Sequence, residues 1–299
     1  VLEPIFERDF ADTSYGFRPG RGCKDALRTV DELLKQGFTW VLDADLKSYF
    51  DTIPHERLLA QVGTKVSDSR VLELIEAYLK QEIMETAKNW TPERGTPQGA
   101  VLSPLLSNIY LAPLDHMMAN REAVMVRYAD DFVILCQSQK QAQRAYERIK
   151  SWITENGLTL HPQKTRIIDA TQAGGFDFLG YHFERGYRWP RKASLKRVKD
   201  TIRSKTRRTN GRSMRTIIKD VNQTMEGWFE YFKHSHKTTF KPLDSWVRMR
   251  LRSILRVRRG GRGRGRGRDH NRWPNTYFAD RGLFSMVAAY VIASQPSQR

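Results

Sequence analysis

VMVRYADDFVILC (residues 124–136) sets two carboxylates side by side within what otherwise reads as buried strand. Its flanks, VMVRY (124–128) and FVILC (132–136), are rich in β-branched and aromatic residues, which suit a pleated, half-buried surface. The short polar interruption between them fits a tight hairpin, so Asp130 and Asp131 are expected at the tip of two adjacent strands. Asp is an ordinary turn residue, and one alone would need no further reason. Two in succession beside apolar strands repel each other and lose hydration, which costs several kcal/mol. A bound divalent cation would turn that repulsion into attraction, and the next question is where its other ligands lie.

VLDADLKSYFDTIPHERL (41–58) answers it best. Apolar Val41 and Leu42 lead into Asp43, Asp45 and Asp51, so a second buried strand ends among carboxylates. A strand end beside a hairpin tip brings Asp45 close to Asp130 across a long sequence separation. Two metal ions held about 3.5–4 Å apart by such carboxylates lower the pKa of an attacking hydroxyl and stabilise a leaving pyrophosphate. The expected chemistry is nucleotidyl transfer.

The rest of the chain frames that site. Its 299 residues suffice for two cores, and the charge divides them. Residues 1–180 carry 21 Lys+Arg against 25 Asp+Glu, net −4, whereas residues 181–299 carry 30 against 8, net +22. Such an excess repels itself unless a polyanion relieves it, which points to nucleic acid. Aromatic residues, WFEYF (228–232) among them, show that the basic part has a core of its own. Two isolated cysteines, Cys23 and Cys136, and scattered histidines suggest a reducing compartment without disulfides or zinc. There is no run of about 18 or more apolar residues, so no membrane partner is expected.

Periodicity predicts helices over 24–37, 55–62, 67–86, 103–118 (Ser103 as N-cap) and 139–157. Strands are predicted over 38–46, 164–170 and 176–183, and basic helices near 194–208, 213–234 and 242–258. Alternating Gly and Arg over 259–268 should form no packed element, so a flexible cationic loop is expected there.

The segments SYGFRPGRG (14–22), DADLKSYFDTIPH (43–55), GTPQGAVLSPLLSNIYL (95–111), YADDF (128–132), LTLHPQKT (158–165) and FLGYHF (178–183) stand in the order of reverse transcriptase blocks. The chain resembles the group II intron-encoded type, or maturase. RSMRTIIKDVNQTMEGWFEYF (212–232) and RWPNTYFADRGLFSM (272–286) resemble the thumb or maturase region of the same family. This resemblance implies an α+β, right-hand polymerase fold. Partial fingers and a palm with an antiparallel sheet would occupy residues 1–185, and a basic α-helical thumb or maturase domain residues 186–299.

Site roles follow from the same resemblance. It makes Asp45, Asp130, Asp131 and the carbonyl of Leu46 ligands of two Mg2+ ions, with Mn2+ as a substitute. Arg18 and Arg21 would grip the incoming triphosphate, since guanidinium forks suit phosphate oxygens. Gln98 and Gly99 would line the nucleotide pocket, and Phe50 would lie under the sugar and exclude a 2′-hydroxyl. Lys164 would serve as general acid at the pyrophosphate.

Each residue also has a plainer reading: surface charge for the arginines and Lys164, a turn for GTPQG, core packing for Phe50. The implied partners are intron RNA as template, a DNA primer or target, and dNTPs, in a bacterial cytoplasm at the nucleoid. Copying an intron RNA while helping it to splice is the favoured function. The alternatives are an RNA-binding splicing cofactor without productive polymerase activity, and a reverse transcriptase of a CRISPR-associated or diversity-generating lineage. The blocks before VLEPIFERDF (1–10) and a histidine-asparagine-histidine endonuclease are not found in the sequence, so second-strand cleavage is not expected.

Overall fold

The computed structural model of the chain describes residues 2–80, 83–85, 88–90, 94–96, 100–119 and 122–295. Two compact units divide it: Val1–Leu179 with Glu184–Gly186, and Gly180–Phe183 with Tyr187–Arg299. The first begins with helices α1 (Glu3–Glu7) and α2 (Cys23–Lys35), strand β1 (Trp40–Asp45) and helices α3 (Tyr49–Thr52), α4 (His55–Gly63) and α5 (Ser69–Leu79). It continues through β2 (Ile83–Glu85), β3 (Lys88–Trp90), α6 (Ser103–Met118) and the hairpin strands β4 (Ala123–Tyr128) and β5 (Asp131–Cys136). It closes with α7 (Gln139–Glu155), β6 (Arg166–Asp169) and β7 (Phe176–Phe178).

The central sheet has the order β4-β5-β1-β6 with every pairing antiparallel, and the architecture is α+β. Register decides what each face does. Leu42 stands opposite Ile134, Asp43 opposite Val133, and Asp45 opposite Asp131. One face sends Leu42, Ala44, Phe132, Ile134 and Cys136 into a core shared with Ala142, Ile149 and Ile153 of α7 and Leu106 and Ile109 of α6. On the other face lie Val41, Val133 and Leu135, over which α2 packs with Ala26, Leu27, Val30 and Leu33 buried. Cover on both faces explains why 132–136 reads as an unbroken apolar run. Each buried side chain of that size contributes about 1.5–3 kcal/mol.

Three local expectations change. The helix predicted over 67–86 ends at Leu79, and residues 83–85 instead pair with 88–90, because periodicity alone cannot tell a short apolar strand from another helical turn. The N-cap of α6 is Leu102, while the Ser103 hydroxyl shares a 3.0 Å hydrogen bond with that of Tyr78. The strand predicted over 176–183 is broken where Leu179 and Gly180 take φ of 46° and 82°.

The second unit contains β8 (Tyr181–Glu184) up to Phe183, then β9 (Tyr187–Pro190), α8 (Lys192–Lys205), α9 (Met214–Phe232) and α10 (Phe240–Arg258). Short helices α11 (Asp269–Arg272) and α12 (Asn275–Ala279) follow, then α13 (Met286–Ala293). Ile202, Ile217, Val221, Phe229, Leu251 and Phe278 belong to its own core. Among the described residues no helix is long and apolar enough to cross a membrane.

Residues 259–268 have no helix or strand, yet they are not the unpacked segment their composition suggests. Gly265 is buried against α10: a Cβ there would lie 2.5 Å from Cβ of Arg252, and its amide donates to Ser253 Oγ at 3.0 Å. A Cβ on Gly261 would meet the Arg256 side chain at 2.8 Å, and Arg256 Nε donates to the Arg262 carbonyl at 2.7 Å. Glycine lets the backbone lie directly on the helix, and the alternating Arg262, Arg264, Arg266 and Arg268 are exposed.

Candidate functional site

Opposite residues of an antiparallel pair share a face, so Asp43, Asp45 and Asp131 continue the face that carries Val41, Val133 and Leu135. The same face is apolar under α2 and acidic at the far end of β1. Strand β6 and the turn before it add cations. Asp43 pairs with Arg166, whose Nε lies 3.4 Å from its carboxylate, and Lys164 Nζ reaches Asp45 Oδ2 at 2.8 Å. Lys164 is presented by the turn after α7, where His161 donates its amide to the Asp45 carbonyl at 2.8 Å and Lys47 donates to the Thr159 carbonyl at 2.9 Å. These two bonds flank Leu46, itself buried and bridged to Leu160.

Crowding marks the carboxylates electrostatically. Burial pushes Asp43 up to about 6; Arg166 opposes this, and Asp177 and Asp45 add to it. Burial also raises Asp130, against a hydrogen bond from its own backbone amide and with the help of the Asp45 charge. Asp131, which solvent reaches, is raised to about 6 by desolvation and then by Asp43 and Asp130, while the Leu179 amide holds its charged form.

The turn between β4 and β5 is Ala129-Asp130, with Tyr128 opposite Asp131. Ala129 adopts φ of 60°, a strained conformation for a residue with a Cβ. A buried network holds it there. Arg127, with no exposed surface, donates to both oxygens of Asp115 (Nε to Oδ1 at 2.8 Å, NH2 to Oδ2 at 2.5 Å) and through NH1 to Asn108 Oδ1 and the Ala129 carbonyl, both at 2.9 Å. Burial opposes the charge on Arg127, and Asp115 more than restores it. Asn108 donates in turn to the Gly16 carbonyl at 2.8 Å, and a Cβ on Gly16 would fall 2.2 Å from the Ala129 nitrogen. SYGFRPGRG thus meets YADDF by backbone contact, which explains the glycine. Removing one partner of such a buried pair typically costs about 3–5 kcal/mol.

The expected site residues divide. Asp45, Asp130, Asp131 and Lys164 gather at one end of the sheet, with the backbone of Leu46 beside them. Phe50 is partly buried against the core, edge-on to Tyr49 at 5.4 Å, and its carbonyl accepts from the Thr96 amide at 2.6 Å. Gln98 and Gly99 lie outside the described residues. A Cβ on Gly95 would fall 3.0 Å from the backbone of Asp51, so that glycine lets the GTPQG block lie against the residue after Phe50. Arg18 is engaged within the chain. Its guanidinium is buried and already engaged by Glu7 at 2.8 Å and by the carbonyls of Ala11 and Ser14 at 2.6 and 2.7 Å. Arg21 is held less firmly, by the Asp12 carboxylate at 2.9 Å and carbonyl at 2.5 Å, with Asp12 almost wholly in solvent. Sequence reading missed Arg127, Asp115, Asn108 and Arg166. Their one sequence signal is an arginine inside an otherwise apolar strand.

Among the described residues no three His, Cys, Asp or Glu side chains converge closely enough to enclose a metal ion. Asp45 and Asp130 nonetheless feel each other's charge and offer only carboxylate oxygens. Magnesium is commonly held in this way, by one or two carboxylates with water and substrate phosphates completing the shell. The donor chemistry therefore fits a hard divalent cation.

Comparison with known proteins agrees with this geometry. A group II intron maturase-specific domain matches residues 195–273. Group II intron-encoded protein LtrA of Lactococcus lactis subsp. cremoris is 42% identical over 115 residues, 38% of this chain and 19% of that protein. Protein YkfC of Escherichia coli K12 is 33% identical over 224 residues, 62% of this chain and 58% of that protein. The chain thus spans less than two thirds of the length of each of these relatives. A structure of telomerase from Candida albicans with an RNA fragment shares the fold, with a TM-score of 0.53 at 13% identity over 85% of this chain and 47% of that one. With its strand-end aspartates in register and residues 1–183 matching the reverse transcriptase (RNA-dependent DNA polymerase) model, the chain belongs to the reverse transcriptase family.

Proposed function

We propose that the chain is the polymerising and RNA-binding core of a group II intron reverse transcriptase and maturase. It would extend a DNA primer on intron RNA with dNTPs, and hold the same RNA for splicing and retrohoming in a bacterial cytoplasm. The observation that carries this reading is the pairing of Asp45 with Asp131 on adjacent strands, beside the Asp130 turn. The family's chemistry uses divalent metal ions. Two Mg2+ ions, with Mn2+ as a substitute, would be held by Asp45 and Asp130 with Asp131 and the Leu46 carbonyl at their flanks, and would acidify the primer hydroxyl and neutralise the triphosphate.

The chain's own residues do the rest. Lys164, 2.8 Å from Asp45, is within reach of phosphates arriving there and donates a proton to the leaving pyrophosphate. Arg21 exchanges its exposed ion pair with Asp12, of a kind worth about 0–1 kcal/mol, for a phosphate of the nucleotide. Phe50 lies under the sugar, and the bond from Thr96 to its carbonyl ties the start of the GTPQG block to that pocket, whose lining includes Gln98 and Gly99.

Asp130→Asn tests the assignment. Metal-dependent extension of a DNA primer on an RNA template should fall by at least about 10³-fold, with RNA affinity nearly unchanged. Extension at the unaltered rate would remove Asp130 from the site.

A further inference from the structure

The second unit contains a cavity of about 180 Å³ whose lining includes Arg203, Thr206, Arg208, Trp246, Arg250 and Arg264. Four guanidinium groups around so small a space repel one another, and most of them lack a counter-charge. Arg203 is paired with Asp200. Among the described residues no carboxylate lies within ion-pair distance of Arg208, Arg250 or Arg264.

Arg250 is fixed from behind. Its Nε donates to Thr206 Oγ1 at 2.6 Å and one terminal nitrogen to the Thr206 carbonyl at 2.8 Å, so it caps the negative end of α8. Burial, and then the charges of Arg203 and Arg208, hold it below its ordinary pKa. The Trp246 ring lies beneath Arg203 and Arg250, at 5.7 and 5.5 Å. Arg264 arrives from the Gly/Arg segment, whose position is set by Gly265 on Ser253. The glycine that packs thus delivers the arginine that charges the cavity.

We propose that this cavity binds a phosphate group of an RNA backbone, gripped by Arg208 and Arg264 over a floor built from Trp246 and Arg250. This deepens the RNA-binding reading above and rests on it. An anion there would relieve the mutual repulsion of the arginines, and exposed Arg208 and Arg264 are the two that carry no competing hydrogen bond among the described residues. Planar guanidinium forks around phosphate oxygens form the stronger, charge-assisted class of hydrogen bond.

The test uses the full chain, a fluorescein-labelled RNA stem–loop and anisotropy titrations across a KCl series. Three proteins are compared: the unaltered chain, the Arg208→Gln/Arg264→Gln variant, and a Lys192→Gln/Lys241→Gln control that removes the same charge from exposed positions outside the cavity. The cavity variant should bind about 10-fold or more weakly, with the slope of log K against log salt shallower by about 0.7–0.9 for each phosphate no longer neutralised. The control should show less than a third of that effect, and Arg208→Lys/Arg264→Lys should recover most of the slope.

Equal weakening in cavity variant and control would reduce the arginines to part of a general field and overturn the proposal. So would unchanged RNA affinity in a cavity variant shown to be folded by circular dichroism. Inorganic phosphate, followed by 31P line broadening, separates the sources: phosphate bound through Arg208 and Arg264 without any effect on RNA affinity would make this a free-anion site and overturn the RNA assignment. Absence of RNA binding by the unaltered chain is a different failure, since it removes the underlying reading as well.

Discussion

Asp43 sits on the acidic end of β1 with only a fifth of its side chain exposed, and its ionisation works against the fold. Its folded pKa, pushed from 3.8 to about 6 chiefly by burial, lies above the unfolded value. The folded state therefore holds the proton more tightly, and the stability this contributes is complete below about pH 4 and lost as pH rises through about 6. Asp43→Asn should match the unaltered protein near pH 4 in metal-free buffer and exceed it above pH 7 by about 1–3 kcal/mol, read from urea unfolding. A difference independent of pH would show that Arg166 already neutralises Asp43 in full.

Phe50 poses a different choice, between a sugar platform and a core side chain set edge-on to Tyr49. As a platform, Phe50→Val should raise ribonucleotide use relative to deoxyribonucleotide by about 10- to 200-fold. As a core residue it should cost about 2–4 kcal/mol of stability with the ratio unaltered. Single-nucleotide kcat/KM values beside a melting curve decide between them.

At the scale of elements, turns are where pattern and structure part most clearly. The β4–β5 hairpin is legible because two β-branched runs flank a short polar break, although its tip uses Ala129 at φ 60° where glycine would be easier. The β8–β9 hairpin was not legible. Its two-residue turn is Arg185-Gly186, both with positive φ (51° and 75°), and arginine is not a residue that announces such a turn. The Gly/Arg segment misleads in the opposite direction, since its composition reads as loose chain while its packing is close. Gly265→Ala would push a methyl group to 2.5 Å from Cβ of Arg252. It should lower stability by about 1–3 kcal/mol, visible as a reduced Tm, and should weaken RNA binding by displacing Arg264. An unchanged Tm would mean that the segment yields freely.

Across the whole molecule the charge is unevenly divided, net −4 over residues 1–180 and net +22 over 181–299. RNA affinity should follow that division and depend steeply on salt. A surface that neutralises about six to ten phosphates binds roughly 10³–10⁵ more weakly at about 200 mM salt than at about 50 mM. A nearly flat response in an anisotropy titration would contradict a binding surface built on these arginines and lysines.

Sequence by itself determined the α+β class, the strand-end carboxylates, the helical nature of the basic part and the family, because each is written in local periodicity or in ordered motifs. Tertiary structure alone decided which charges are available. Arg18 stands in the expected motif yet is consumed by Glu7 and two carbonyls, whereas Arg127, outside every expected role, holds the Ala129 turn through Asp115 and Asn108. The pair Arg166–Asp43 likewise depends on the register of β6 and β1, and Lys164–Asp45 on the backbone bonds that hold the turn after α7 to the end of β1. A slip of one residue between strands turns every side chain to the opposite face. Such register is set by packing across the whole core, and no stretch of local sequence contains it.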